Sequence, residues 1–232
     1  KDTIEVTSVV DGNPDRVQLV RPEFDMPADG LNIRLADDRF QQEDRIIDYK
    51  RFAAEAFSHA NKMDKRVWGK PGAKIGFVAA GKNWLDLVHA LSLLNIDEPM
   101  AERLGITTYK VGQTWPMDVR GFNAWAEGLD LIVVVEEKRK LIEVQIKEAI
   151  FDDRRGRRVY GWYKGGVGTP NREELFPTKY ALDPIMIAEK LGGILIEEGR
   201  DTEAVKAGLA ALGGAKRADN AEEIAARLPY FC

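Results

Sequence analysis

The sequence of 232 residues is long enough to bury a sizeable core, and its 44% apolar and 31% charged residues are ordinary for a globular protein. The formal net charge of −4 argues against nucleic acid as the main partner. No apolar run is long enough to cross a bilayer, and no secretory signal pattern opens the sequence. One cysteine excludes an internal disulfide and points to a reducing, cytoplasmic compartment.

The first 71 residues predict an arm followed by a helix. Residues 4–10 and 16–20 alternate apolar and polar side chains, which favours two short strands around a turn. Because prolines and an Asp-Gly break follow, we expect 1–38 to be an extended arm or linker. The segment 39–71 is expected to contain a helix over 41–61 and a linker, and both are expected to pack on the core. The predicted buried stripe of that helix consists of Ile46, Ile47, Tyr49, Phe52, Ala53, Ala56 and Phe57.

The two ends of the sequence suggest a piece cut from a longer polypeptide. Lys1 is not an initiator methionine, and Cys232 directly follows two aromatic residues without a polar tail. We therefore expect further domains on the same polypeptide.

Residues 72–232 alternate strand and helix patterns and are expected to form one domain with C-terminal helices. Strands are predicted over 74–80, 106–111, 130–135 and 158–163. Helices are predicted over 84–95, 98–104, 119–127, 141–150, 184–191, 202–212 and 221–228. Gly192-Gly193 punctuates the pattern, so 194–196 fits either a helix or a last strand. About four strand–helix units in a row predict an α/β fold with three layers and a doubly wound, mostly parallel sheet.

The apolar run 131–135 predicts a central strand, because a strand without polar alternation must be covered on both faces. Glu136, Glu137 and Lys138 follow it directly. The carboxyl edge of such a sheet is where ligands and partners bind. Two interpretations of the carboxylates stay open, namely charges at a solvated edge or contacts across an interface. Acid–base catalysis is less favoured, since adjacent strand residues point to opposite faces unless the strand has ended.

A near match to a phosphate-binding loop runs from Gly76 to Asn83 and includes Gly81 and Lys82. Asn83 replaces the serine or threonine that would hold magnesium, and the intervening residues are typical of a strand. The favoured interpretation is a strand, a turn and a helix with Asn83 as its N-cap and Asp86 completing a capping box.

An arginine cluster and two histidines have simpler interpretations than ligand or metal binding. The arginines at 154–158 could bind phosphates, but neighbouring aspartates favour local ion pairs in a solvated loop. His59 and His89 lack other histidines or cysteines at metal-ligand spacing, so no metal site is predicted.

Three ordered segments resemble the C-terminal domain of the transketolase superfamily. These are the strand and turn that end at Gly81, the loop Pro116-Met117-Asp118, and the strand that ends in Glu136-Glu137. Met117 stands where the superfamily usually has leucine. Finer segments, among them 109–116 with the sequence YKVGQTWP, are similar to the indolepyruvate ferredoxin oxidoreductases in their long single-chain bacterial form.

This resemblance implies a specific parent enzyme. Such enzymes oxidatively decarboxylate arylpyruvates with thiamine diphosphate, magnesium and iron–sulfur clusters, and they use coenzyme A and ferredoxin as acceptors. The cofactor lies between a pyrimidine-binding and a diphosphate-binding domain, and both are expected outside this chain. The chain itself would bind no cofactor, would be inactive alone, and would brace those domains at a homodimer interface.

The residues expected at an interface or channel are Gly81, Lys82, Trp115, Pro116, Asp118, Glu136, Glu137 and Lys138, and none is expected to be catalytic. A second hypothesis is a free-standing nucleotide- or coenzyme-A-binding α/β module, motivated by Gly81-Lys82 at a helix start and by the arginine cluster.

Overall fold

One central sheet of four parallel strands and one antiparallel strand organises the part of the chain that the structure describes. The structure is a computed structural model that describes residues 18–32, 34–165, 173–200 and 202–221, with side chains described up to 214. The strands are β1 (Lys65–Arg66), β2 (Ile75–Ala80), β3 (Ile106–Val111), β4 (Leu131–Val135) and β5 (Arg158–Tyr160). Their order is β1-β3-β2-β4-β5, and only β1 is antiparallel to its neighbour.

Helices connect and flank these strands. They are α1 (Arg39–Arg45), α2 (Arg51–Ala60), α3 (Gly81–Leu93), α4 (Glu98–Leu104), α5 (Val119–Ala126), α6 (Leu141–Ala149), α7 (Pro184–Glu197) and α8 (Glu203–Ala221). A π-helical segment, Ile46–Lys50, joins α1 to α2 without a break. A separate pair of short antiparallel strands is formed by β6 (Tyr163–Lys164) and β7 (Glu173–Glu174).

Helices cover both faces of the sheet, which gives the expected three layers. Successive residues of β4 alternate between two apolar cores, with Val133 in the core that includes α3 and α7 and Val134 in the core that includes α5 and α6. All five residues of β4 are buried. The uninterrupted apolar run in the sequence follows from this double coverage, because neither face of β4 meets water.

The sheet reverses its winding direction between β2 and β4. From β2 the chain proceeds to β3 on one side, then crosses over to β4 on the other side and continues to β5. In doubly wound sheets this switch point opens a crevice at the carboxyl ends of the two strands. The fold class and the predicted strands of the core are therefore confirmed, and the switch point lies at Gly81 and Glu136.

Several predicted elements need correction or lie outside the described residues. The predicted strand 4–10 and most of the predicted helix 221–228 lie outside the described residues, and described residues 18–20 form no strand. The segment 194–196 is helical, because α7 continues through Gly192-Gly193 to Glu197. Strand β1 was not predicted, and β5 ends at Tyr160 before the chain turns into β6.

The predicted buried stripe of the N-terminal helix is less buried than its spacing predicts. Ile46 is 46% exposed, Ile47 50%, Tyr49 37% and Phe52 45%. The helix is amphipathic as expected, but these four side chains belong to neither of the two cores of the described residues. They form a surface that we call the apolar stripe.

Candidate functional site

All the predicted interface residues follow a parallel strand at the carboxyl edge of the sheet. Gly81 and Lys82 follow β2, Trp115, Pro116 and Asp118 lie in the loop after β3, and Glu136, Glu137 and Lys138 follow β4. The edge thus brings three separate segments together, as the parallel topology requires.

Helix α3 begins three residues earlier than predicted. Its first residue is Gly81, Ala80 is the N-cap, and no side chain caps the helix. Asn83 therefore lies inside the first turn, where its side-chain oxygen is buried without a hydrogen-bond partner. The predicted capping box is wrong, since Asp86 instead forms an ion pair with Lys82.

Lys82 makes two polar contacts within the chain. Besides Asp86, its Nζ donates a 2.9 Å hydrogen bond to the backbone carbonyl of Leu182. A lysine that cradled a phosphate would need these donors for the ligand. The structure therefore gives Lys82 a tethering role at the start of α3.

Glu137 binds the other backbone group of the same residue. Its Oε2 accepts a 2.9 Å hydrogen bond from the backbone N–H of Leu182. Leu182 is only 1% exposed and belongs to the core on the α7 side of the sheet. Because Lys82 follows β2 and Glu137 follows β4, Leu182 bridges the two sides of the switch-point crevice. The segment before α7 thus closes the place where a doubly wound fold usually binds its ligand.

Glu136 turns toward the opposite layer and caps α6. Its carboxylate accepts backbone hydrogen bonds from Leu141, Ile142 and Glu143 at 3.0, 2.8 and 3.2 Å. Because the residue is 9% exposed, it is not a charge at a solvated edge. Burial raises the pKa of the Glu136 carboxyl, and the nearby Glu143 raises it further, while the three N–H groups oppose the shift. The strand has ended before both carboxylates, and they bind different segments of the chain.

Asp118 is buried at the start of α5 and joins this helix to α2. Its Oδ1 accepts from the Gly121 N–H at 3.0 Å as an N-cap, and its Oδ2 lies 2.9 Å from Nδ1 of His59. The side chain of Asp118 is 2% exposed. The pair fixes the N-terminal helix against the edge of the sheet.

Asp64 is a structural carboxylate that the sequence patterns did not reveal. Its two oxygens accept from the backbone N–H groups of Gly112, Gln113 and Asp118 at 2.8, 2.9 and 3.1 Å. It therefore organises the whole loop after β3. The hydroxyl of Tyr109 is buried nearby without a hydrogen-bond partner, and burial together with Asp64 and Asp118 raises its pKa.

Gln145 links the loop after β3 to α6. Its Oε1 accepts from the Met117 N–H at 3.1 Å, and its Nε2 donates to the Thr114 carbonyl at 2.9 Å. Trp115, which follows Thr114 and precedes a cis proline bond, remains 57% exposed. Of the predicted residues, Trp115 thus offers a large apolar surface at this edge.

Three of the four arginines in 154–158 are held locally. Arg155 and Arg157 both pair with Asp153. Arg158 forms a bidentate pair with Glu198 at 2.7 Å for both contacts, which holds its pKa above the ordinary value. This pattern favours the local ion-pair interpretation over a phosphate site for those three residues.

Three surface cavities of about 410, 400 and 510 Å³ are lined by residues other than the predicted interface set. Across the described ranges, no cluster of three or more His, Cys, Asp or Glu side chains is arranged to hold a metal ion. None of the helices within those ranges is long and apolar enough to cross a membrane.

Comparison with known structures finds distant partial similarities. A split-gene transketolase, described as an inactive β4 tetramer, matches at 15% identity with a TM-score of 0.37, over 57% of this chain and 41% of that one. A 2-oxoglutarate:ferredoxin oxidoreductase from Magnetococcus marinus, with 2-oxoglutarate, coenzyme A and succinyl-CoA bound, matches at 18% identity with a TM-score of 0.36, over 67% of this chain and 22% of that one. The chain thus spans less than half the length of either structure.

Comparison with curated proteins found no significant match. The family model for the indolepyruvate oxidoreductase domain matches residues 65–219, which is about two-thirds of the chain and nearly the whole of the α/β core. A match of this extent confirms the expected family. The chain belongs to the indolepyruvate oxidoreductase domain family.

Proposed function

We propose that this chain is a non-catalytic domain of a thiamine-diphosphate-dependent indolepyruvate, or arylpyruvate, ferredoxin oxidoreductase. The observation that carries the proposal is the closed switch-point crevice, where Lys82 and Glu137 both bind the backbone of Leu182. The side chains that would be expected to hold a cofactor there are engaged in holding the fold together. The domain therefore contributes architecture, and it has no turnover when isolated.

Membership of the family supports an oxidoreductase as the larger protein to which this domain belongs. In the proposed enzyme, thiamine diphosphate, magnesium and the iron–sulfur clusters are held by other domains. Coenzyme A and ferredoxin are the acceptors of the oxidative decarboxylation, which takes place in the cytoplasm of the cell. The pyrimidine- and diphosphate-binding domains are the proposed neighbours of this chain in a homodimer.

The apolar stripe supports a bracing role. Ile47 and Phe52 are about half exposed on the N-terminal helix, and Trp115 is exposed in the loop after β3. Burying a large apolar side chain contributes roughly 1.5–3 kcal/mol, so this set would contribute substantially to docking another domain. Exposed aromatic and aliphatic groups of this kind mark interaction surfaces.

The geometry gives less support to a nucleotide- or coenzyme-A-binding module. Lys82 pairs with Asp86 and Leu182, and the guanidinium groups of Arg157 and Arg158 bind Asp153 and Glu198. A phosphate would have to displace the carboxylate and carbonyl groups that these side chains already bind, so it would form no additional ion pair. The accessory-domain proposal needs no such displacement.

Dye reduction tests the proposed function directly. The purified 232-residue chain is supplied with indolepyruvate, thiamine diphosphate, magnesium and coenzyme A, and reduction of a viologen dye is followed. A complete 2-oxoacid:ferredoxin oxidoreductase serves as the positive control. We expect no rate above the blank, and a rate that depends on indolepyruvate would overturn the proposal.

The bracing role needs its own test in the complete enzyme. Replacing Ile47 and Phe52 with serine should weaken assembly and lower activity, because the apolar stripe then loses its buried area. Ile196→Ser is the matched control, since Ile196 is 47% exposed on α7 and lies outside the stripe. Equal effects of the two variants on the mass of the assembly would argue against the stripe as the docking surface.

A further inference from the structure

A cavity of about 400 Å³ lies beside β5, at the edge of the sheet away from the switch point. It opens between the end of α6 and the edge strand. Val159 and Tyr160 of β5 form one wall, and Phe151 lies on the α6 side. A volume of this size accommodates a small organic ligand.

The lining of this cavity combines apolar walls with positive charge. Lys147, Arg154 and Arg158 line it, and none of the described residues that line it is acidic. Small-molecule sites characteristically combine apolar walls with a few polar groups that orient the ligand. The combination here favours a ligand with an apolar body and an anionic group.

The ion pairs around the cavity determine how much charge remains for a ligand. Arg158 is neutralised by Glu198, which approaches it with both oxygens at 2.7 Å. Lys147 pairs with the buried Glu143. Neither carboxylate lines the cavity.

Arg154 remains as the uncompensated cation. Its Nε donates to the Arg157 carbonyl at 3.0 Å, and among the described residues it forms no ion pair. The guanidinium fork matches a carboxylate, which it can bind through two parallel hydrogen bonds. One free positive charge therefore selects a monoanion.

The apolar walls favour a planar body for this ligand. Phe151 is 78% exposed, so its ring is accessible to a ligand in the cavity. Tyr160 contributes a second aromatic ring, fixed by Arg158, whose guanidinium lies 5.9 Å from the ring centroid. A flat aromatic ligand can stack on such rings.

We propose that this cavity binds an aromatic monocarboxylate, with its carboxylate on Arg154 and its ring against Phe151 and Tyr160. The proposed site goes beyond the proposed function, since it is formed by residues beside β5 and includes none of the residues at the switch point. Binding to the isolated chain is expected whether or not the chain supports turnover.

Calorimetry with three probes tests the chemistry without any mutation. The 232-residue chain is titrated with 1-naphthylacetate, with the uncharged 1-naphthaleneacetamide and with acetate. We expect the aromatic acid to bind about tenfold more tightly than the amide, because only the acid forms a charge-assisted pair. Acetate should bind weakly, because it lacks the ring. Equal binding of acid and amide, or no heat with the acid at millimolar concentration, would overturn the proposal.

An adjacent arginine supplies a matched control. Arg154→Gln should weaken 1-naphthylacetate binding about tenfold. Arg155→Gln should leave it unchanged, since Arg155 is 65% exposed, pairs with Asp153 and does not line this cavity. Thermal melting checks that both variants fold, and the amide resonances of Val159 and Gly165 should shift on binding. Equal affinities of the two variants, or shifts confined to other parts of the chain, would contradict the proposed site.

Discussion

The carboxylate of Glu137 accepts a 2.9 Å hydrogen bond from the backbone N–H of Leu182, which lies 45 residues later in the chain. Lys82 donates to the carbonyl of the same residue at 2.9 Å. Two side chains that leave neighbouring parallel strands thus hold one buried residue between them. The crevice of the doubly wound sheet is closed from within the chain.

Removing the carboxylate of Glu137 should loosen this closure. Glu137→Ala is expected to lower the free energy of unfolding by about 1–3 kcal/mol, because the Leu182 N–H loses its acceptor in a mostly buried place. Urea denaturation measures the difference. Lys138→Ala is the control, with an expected change of about 0–1 kcal/mol, since the Lys138 side chain is 65% exposed and makes only a long 3.9 Å surface pair with the Glu137 carboxylate. Equal losses for the two variants would show that the Leu182 contact contributes nothing specific.

Glu136 should make stability depend on pH in the opposite sense to an ordinary paired carboxylate. Burial raises its pKa in the folded protein above the unfolded value. The folded state therefore binds a proton more readily than the unfolded state, and this proton binding stabilises the fold. The stabilisation is complete below the pKa of the unfolded state and is lost as the pH rises through the pKa of the folded state. We expect the wild type to gain stability relative to Glu136→Gln as pH falls from about 8 to about 5. Denaturation at several pH values measures the difference, and a relative loss over that range would be inconsistent with the raised pKa.

Neighbouring glycines of α7 should respond differently to a methyl group. A Cβ on Gly192 would lie 2.5 Å from the Leu209 side chain of α8, whereas a Cβ on Gly193 would meet no atom within 4 Å. Gly193→Ala should therefore stabilise the protein by about 0.5–1 kcal/mol through helix propensity. Gly192→Ala should destabilise it by roughly 1–3 kcal/mol through overpacking. Thermal unfolding compares them, and a stabilisation of the same size by both would show that α8 does not pack closely at Gly192.

Asp64 should be one of the most sensitive polar residues of the chain. Asp64→Ala leaves three backbone N–H groups of the loop after β3 without their acceptor, so we expect a loss of roughly 3 kcal/mol or more. Asp130→Ala is the control, because the exposed Asp130 only pairs with Lys74 at 3.8 Å and should change stability by about 0–1 kcal/mol. Chemical denaturation measures both, and similar small losses would contradict the proposed role of Asp64.

The core of the fold was predictable because its signals are local. Strand β4 appears in the sequence as five consecutive apolar residues, and α4 and α7 begin at the expected residues with aspartate N-caps and a proline in the first turn. Strand β1 escaped prediction because it has only two residues, Lys65 and Arg66, and exists through pairing with β3. Its formation depends on a partner more than 40 residues away, so no pattern within it indicates a strand.

The candidate site was predictable in position but not in its contacts. The sequence predicted that Glu136 and Glu137 follow a strand at the carboxyl edge of the sheet, and the residues after β2 and β3 lie at the same edge because these strands are parallel. The closure by Leu182 depends on its backbone N–H and carbonyl groups, which every residue except proline carries, so its side chain gave no signal. Gly192-Gly193 suggested a break, whereas one of the two glycines allows α7 and α8 to approach.

Calorimetric titration of the 232-residue chain with thiamine diphosphate and magnesium tests the closed crevice most directly. If Lys82, Glu137 and Leu182 close the switch point within the chain, the titration should give no saturable heat at millimolar cofactor. Saturable binding that is weakened by substitution of Lys82 or Glu137 would show that the crevice opens to hold the cofactor, and would contradict the proposed non-catalytic role.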